Sequence, residues 1–233
     1  MKINHKMAGI STLCLSATLG YAQGTFQNLD FESANVPVLP SGQQGFTTPA
    51  AGLPGWTVYY GTNQFTGQIF HNDVSEGAVS VSILGPHYNA QFSPPIIDGS
   101  FSAVVQAGGS ATQIAASIAQ TGMIPVGSRS IQLDVSPFSS QDLVTVSVGG
   151  QNIPLVPLST RSSYTVFEGD ISAFAGQTEQ LMISAPPIAA DLFNSDVIDD
   201  IVFSSQSAPE PGSLALLSCA GLLFGCSRWR RKR

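Results

Sequence analysis

The sequence predicts an all-β protein, a single β-sandwich, and three observations lead there. Residues 23–208 break into about ten short apolar runs separated by Gly, Pro, Ser and Asn. Several of these runs alternate apolar and polar residues with a period of two, the pattern of a strand buried on one face. No stretch of this body keeps a helical period for more than about one turn.

The expected strands, in order, are 25–31, 56–60, 78–84, 101–107 and 112–121, then 130–136, 143–149, 164–170, 179–184 and 197–204. The period is clearest in two of them. Ile131, Leu133 and Val135 share one face, with Gln132 and Asp134 on the other. Val144, Val146 and Val148 alternate with Thr145 and Ser147. Gly149-Gly150 follows directly and has the backbone freedom of a tight hairpin turn. Residues 172–177, SAFAGQ, are expected to form one helical turn, and the Gly/Pro-rich stretch 37–54 is expected to be a loop.

The two ends have a different composition. Lys2 and Lys6 precede an apolar run from Met7 to Leu19, and Gly20-Tyr21-Ala22 places small residues where signal peptidase requires them. Residues 1–22 are therefore expected to be a signal peptide, with the sandwich domain spanning 23–203. Gln23, not Cys, follows the cut, which argues against an N-terminal lipid. Residues 204–211, SSQSAPEP, form a stalk ending in Pro209-Glu210-Pro211. Residues 212–227 carry no charge and would rise about 24 Å as a helix, against a hydrocarbon core of about 30 Å. Residues 228–233 hold five cations, so this tail is expected to stay in the cytoplasm while the body lies across the membrane.

A Pro-Glu-Pro triplet, a short apolar helix and an Arg-rich terminus, in that order, resemble the PEP-CTERM sorting signal of bacteria. The match covers residues 209–233, about a tenth of the chain. The resemblance implies processing by an exosortase and a place in the envelope, on the surface or in the extracellular matrix of a Gram-negative-type bacterium. It is an address and says nothing of what the body does.

Once the ends are set aside, the body holds two cations, Arg129 and Arg161, against fourteen acids, a net charge of −12. It has no lysine. Such a surface repels nucleic acid and anionic lipid, which both need a cationic patch. Cys14, Cys219 and Cys226 all lie in the terminal segments, so the body is held together without disulfides.

Catalytic motifs are absent from the sequence. There is no Gly-x-Ser-x-Gly elbow, no His-Glu-x-x-His and no cysteine metal set. His71 and His87 are expected to be loop or surface residues rather than ligands or bases. Paired carboxylates would suit a glycoside hydrolase, but with fourteen acids some pairs fall together by chance. For sugar binding, aromatic faces stack on pyranoses, and Tyr59, Tyr60, Phe65, Phe70 and Tyr88 cluster in sequence. Trp56, Val58 and Tyr60 share a face suited to the core, which leaves Tyr59 facing out; Tyr59, Tyr60 and Tyr88 are the candidate sugar contacts.

The order of short motifs along the body is similar to that of galactose-binding-like jelly-roll domains, a group that includes carbohydrate-binding modules. The residues are Asn28-Leu29-Asp30-Phe31-Glu32, then Leu53-Pro54-Gly55-Trp56, then Ser117-Ile118-Ala119-Gln120-Thr121, and at the end Ile198-Asp199-Asp200-Ile201-Val202-Phe203. The resemblance implies a jelly-roll-like sandwich whose first and last strands lie together with a structural calcium between them. Asp30 or Glu32 would then meet Asp199 or Asp200, only one of the latter pair facing a given site on a regular strand. Asp191 and Asp196 around Asn194 make a weaker second acidic group. The expectation is an exported, non-catalytic carbohydrate-binding surface or matrix protein. Its partners would be signal peptidase, exosortase and extracellular polysaccharide. A secreted carboxylate-dependent hydrolase is the alternative.

Overall fold

The computed structural model describes residues 24–208 except 76, 90–94, 109–112, 138–143 and 189–193. The expected signal peptide, Pro209-Glu210-Pro211, the 212–227 segment, the basic tail and Asp191 lie outside the described residues. Among the described residues no helix is long and apolar enough to cross a membrane.

Fourteen strands build the described chain. The first seven are β1 (Gly45–Thr47), β2 (Thr57–Tyr60), β3 (Asn63–Phe65), β4 (Ile69–His71), β5 (Ser80–Leu84), β6 (Ser102–Gln106) and β7 (Ala116–Met123). They are followed by β8 (Ser130–Pro137), β9 (Thr145–Val148), β10 (Gln151–Ile153), β11 (Val156–Thr160), β12 (Thr165–Asp170), β13 (Thr178–Ala185) and β14 (Ser195–Ser204). One sheet has eight strands in the order β1-β4-β5-β6-β14-β8-β12-β11, the other six in the order β10-β9-β13-β7-β2-β3. All pairings are antiparallel except β4 with β5.

The period-two residues meet between the sheets. Val81 and Ile83, Ala103 and Val105, and Ile131, Leu133 and Val135 point inward from the larger sheet. Ile118, Val146, Val148, Leu181 and Ile183 meet them from the smaller one. At roughly 2 kcal/mol per buried large aliphatic side chain, this layer is what compensates for the missing disulfides. The β9–β10 turn forms as expected, with Gly149 and Gly150 at φ +57° and +78°. The helical turn also forms, as a 3-10 turn at Ser172–Phe174.

Three expectations are corrected. Residues 25–31 are not a strand: Asn28 and Phe31 take positive φ, and the Asn28 side chain accepts from Ser33 N–H and donates to Pro54. The segment runs as an irregular plug instead. Phe26, Leu29 and Phe31 are buried in the core, and Gln27 exchanges two hydrogen bonds with the Gln120 side chain. The stretch 37–54 is more than a loop, because it contains β1 and a four-residue helix, α1 (Pro49–Gly52), capped by Thr48. The short strands β3, β4 and β11 were also missed; three to five residues show too little alternation to stand out.

Candidate functional site

Two surfaces of the sandwich bear on function. The first lies on the outer face of the larger sheet, where β14 meets β8. The pairing sets Asp199 opposite Asp134, so both carboxylates share that face. A β-bulge then interrupts β14 between Asp199 and Val202, with Asp200 at φ +46°. The bulge frees Ile201 N–H to donate to Leu29 O at 3.0 Å, which ties the last strand to the N-terminal plug. The contact expected between first and last strands is therefore made by an irregular segment, through this hydrogen bond and the Phe26–Phe203 ring pair, whose centroids lie 5.1 Å apart. The bulge also breaks the alternation that would have sent Asp199 and Asp200 to opposite faces.

Asp199 is only 1% exposed. Its Oδ2 accepts from the Ser102 hydroxyl at 2.6 Å and from Asp98 N–H at 3.4 Å, and its Oδ1 accepts from Asp200 N–H at 2.8 Å. Burial nevertheless dominates and pushes the Asp199 carboxyl up to about 7. Asp134 is pushed up to about 6, by burial first and then by Asp200 and Asp98, with Arg161 opposing. Asp200 is raised by burial and by Asp98, Asp30 and Glu32. Glu32 Oε1 accepts from Ser100 and Phe101 N–H, both at 2.8 Å. That loop needs Gly99, whose φ is +59° and where a Cβ would sit 2.4 Å from Glu32 Oε1.

Asp30, Glu32, Asp199 and Asp200 thus share one electrostatic neighbourhood, together with Asp98 and Asp134, which sequence reasoning had not assigned to a site. Their donors are all oxygen, as calcium requires. Among the described residues no three carboxylate or imidazole groups stand close enough to enclose an ion. Asp196 is buried at the far end of β14, and Asn194 donates to Pro186 O. His71 is buried, which lowers its pKa, while His87 is exposed beside Leu39 O, so the two share no open cleft.

The second surface is the outer face of the smaller sheet. Register places Gln64, Tyr59, Ser117, Ser184 and Thr145 in one row across β3, β2, β7, β13 and β9. The next row is Thr57, Ala119, Met182, Ser147 and Asn152, and Thr121 pairs with Gln180 beyond it. Neither row contains a charged side chain. At about 4.8 Å between strands, a row of five spans about 20 Å. The Ser117 and Ser184 hydroxyls lie 2.8 Å apart in a hydrogen bond.

The structure does not bring the three tyrosines together. Tyr59 stands half-exposed on this face. Tyr60 turns inward, stacks on Phe65 at 4.3 Å and accepts Val81 N–H on its hydroxyl. Tyr88 packs on Leu84, Val104 and Val197, on the outer face of the other sheet. Trp56 is buried, with its indole N–H donating to Asn28 O at 2.9 Å. Thr145 and Ser147 were visible in the sequence as the polar half of an alternating run, whereas Gln64 and Asn152 lie on three-residue strands that show no period. What was missing was the strand order that lines them up.

The fold is a two-sheet β-sandwich, and the comparisons with two cyclase structures, at TM-scores of 0.51 and 0.50, agree with it. A Stig cyclase, Fisc from Fischerella sp. TAU, in complex with (3Z)-3-(1-methyl-2-pyrrolidinylidene)-3H-indole, aligns over 82% of this chain and all of its own, with TM-score 0.51 and 12% identity. A second cyclase structure from Fischerella sp. TAU aligns over 79% of this chain and 97% of its own, with TM-score 0.50 and 12% identity. TmCBM61 in complex with β-1,4-galactotriose aligns over 79% of this chain and all of its own, with TM-score 0.42 and 12% identity. No family model matches the sequence, and no curated protein matches it.

Proposed function

We propose that this is an exported surface or matrix protein whose sandwich is non-catalytic and binds neutral carbohydrate on the outer face of the smaller sheet. The observation that carries this reading is the row through Tyr59: one aromatic ring among hydroxyls and amides, with no charge for about 20 Å. A sugar offers an apolar ring face for Tyr59 and hydroxyls for Gln64, Ser184 and Thr145, while the buried Ser117 hydroxyl donates to that of Ser184 from within the row. The net charge of −12 on the body disfavours anionic polymers, so the ligand class is a neutral polysaccharide.

The test is migration of the full chain, in mild detergent, through native gels cast with galactan, xylan or mixed-linkage β-glucan. At least one polymer should retard it. Tyr59→Ala should weaken that retardation about tenfold, the loss of roughly one stacking interaction. Equal retardation of variant and wild type would remove the face from consideration.

The hydrolase alternative draws on Asp134 and Asp199, facing carboxylates with raised pKa. Both are buried rather than set in an open cleft, so binding is the better supported reading. Calcium belongs to the proposal through Asp30, Glu32, Asp199 and Asp200, whose neighbouring charges it would relieve; they stand too far apart here to enclose an ion, so binding would have to draw them together. Sorting belongs to it as well, through signal peptidase at one end and an exosortase at Pro209-Glu210-Pro211 at the other. Intact-mass analysis of native material checks the sorting: the mature protein should lack residues 212–233, and a species still ending at Arg233 would refute processing.

A further inference from the structure

Phe46 is the most exposed aromatic side chain among the large apolar residues left at the described surface, at 60%. It lies on β1, the edge of the larger sheet, and pairs in register with the partly exposed Phe70 of β4. The two rings tilt against each other at 41°, with centroids 5.0 Å apart. Their neighbours show that they point away from the core. Thr47 and Ile69, the next pair, face inward, and Ile69 is fully buried. Phe70 is matched on β5 by Ser82, whose hydroxyl is buried and has no partner. Where the two strands end, Gln44 Nε2 donates to Asp73 Oδ1 at 2.7 Å, and the same oxygen accepts from Val74 N–H at 2.8 Å.

Two in-register rings, with an amide and a carboxylate where their strands end, form a stacking platform on a rigid strand pair. A second copy of this chain would have to bring another strongly acidic body against this edge, and like charge opposes that. An anionic polymer is opposed for the same reason. A neutral glycan carries no such penalty, and its hydroxyls can donate to Asp73 and accept from Gln44. The platform lies on the outer face of the larger sheet and the Tyr59 row on the outer face of the smaller one, so the two surfaces look in opposite directions.

We infer that Phe46 and Phe70 form a second site for neutral polysaccharide, which makes the sandwich bivalent and able to bridge two glycan chains. The inference rests on the reading of the Tyr59 face as a sugar site. A bivalent binder precipitates a soluble polymer over a limited range of mixing ratios, because excess of either component leaves one end of each bridge unfilled.

The experiment uses the full chain in mild detergent and soluble mixed-linkage β-glucan, galactan and xylan, read by turbidity and by gel retardation. Wild type should precipitate the polymer that retards it, with a maximum at intermediate ratio. Phe46→Ala with Phe70→Ala should abolish the precipitate and leave the Tyr59-dependent retardation within about twofold of wild type. Phe46→Tyr, which keeps the ring, should restore precipitation when Phe70 is intact. Tyr59→Ala should also abolish the precipitate while leaving retardation that depends on Phe46. Precipitation unchanged in the double variant would overturn the second site. So would loss of all retardation in Tyr59→Ala with none in the double variant, though the Tyr59 reading would then stand. No retardation of wild type by any of the three polymers would overturn both.

Discussion

At the scale of single residues, the carboxylates around β14 set how stability depends on pH. Asp134 and Asp199 are raised from the ordinary 3.8 to about 6 and about 7, chiefly by burial. Between 3.8 and those values the folded protein holds protons that the unfolded chain has released. Their contribution therefore declines as pH rises from about 4 to about 7 and is level above that. Asp170, lowered by its hydrogen bonds with Ser172, works in the opposite sense and loses its contribution as pH falls through the acid range. Comparing Asp134→Asn with wild type isolates the first effect. The variant should melt within about 1 °C of wild type at pH 4 and several degrees above it at pH 8. A constant offset at all pH values would contradict the assignment. The same melts at pH 8 test the ion: calcium should raise the melting temperature of wild type and chelation should lower it, because a ligand of the folded state alone stabilises that state. Indifference to both would dismiss calcium at this cluster.

At the scale of elements, what matters is how the ends of strands are held. Arg129 and Arg161 are the only cations of the body, and both side chains are exposed. Their backbones differ. Arg129 N–H donates to Ser204 O at 2.7 Å, and Arg129 O accepts from Ile171 N–H at 2.9 Å, so the residue is tied on both sides before β8 begins. Arg161 sits in the turn between β11 and β12 and is held by one bond, from its N–H to Tyr164 O. A protease needs several residues of backbone in extended, accessible form. Trypsin should therefore cut folded protein first after Arg161, by a margin of roughly tenfold or more in rate. Limited proteolysis with mass readout would show it, and a first cut after Arg129 would mean that the β8 entry opens more easily than the hairpin. Register shifts interrupt β14 between Asp199 and Val202 and β11 between Pro157 and Ser159; Pro157, which has no N–H to give the ladder, marks the second, and nothing in the residue pattern marks the first.

At the scale of the whole molecule, the sandwich presents two outer faces of different character. The smaller sheet offers an uncharged polar face with one tyrosine. The larger sheet offers a partly covered face, where Val74, Tyr88, Ile96 and Ile97 pack on Leu84, Val104 and Val197, and an open aromatic pair at its edge. The proposed binding of neutral polymers draws on these two faces and on a body without lysine and with a net charge of −12. Ser204 ends β14 beside Arg129, and Arg129 also donates to the Ser207 side chain, so the described chain leaves the sandwich next to the start of β8.

Local residue chemistry was enough to determine part of this. Alternation in 130–136 and 143–149 identified strands and their inward residues, because side chains on a pleated strand must alternate. Gly149-Gly150 identified its turn, because only residues tolerant of positive φ close so tight a hairpin. The same alternation put Trp56 and Val58 inside and left Tyr59 outside, while Tyr60, named as a sugar contact, follows its face inward. The charge partition set the expectation that nucleic acid is not a partner, on simple electrostatics. Tertiary structure alone decided the rest. Asp134 meets Asp199 only because β8 and β14, far apart in the chain, lie side by side. Phe46 meets Phe70 only because β1 pairs with β4 across the intervening α1, β2 and β3. Residues 25–31 were expected as a strand but plug the core as coil, because Asn28 and Phe31 bend the backbone to meet Pro54, Ser33 and Trp56. Period tells which way a side chain points within its own strand; which strand lies next to it depends on long-range contacts that no local window contains.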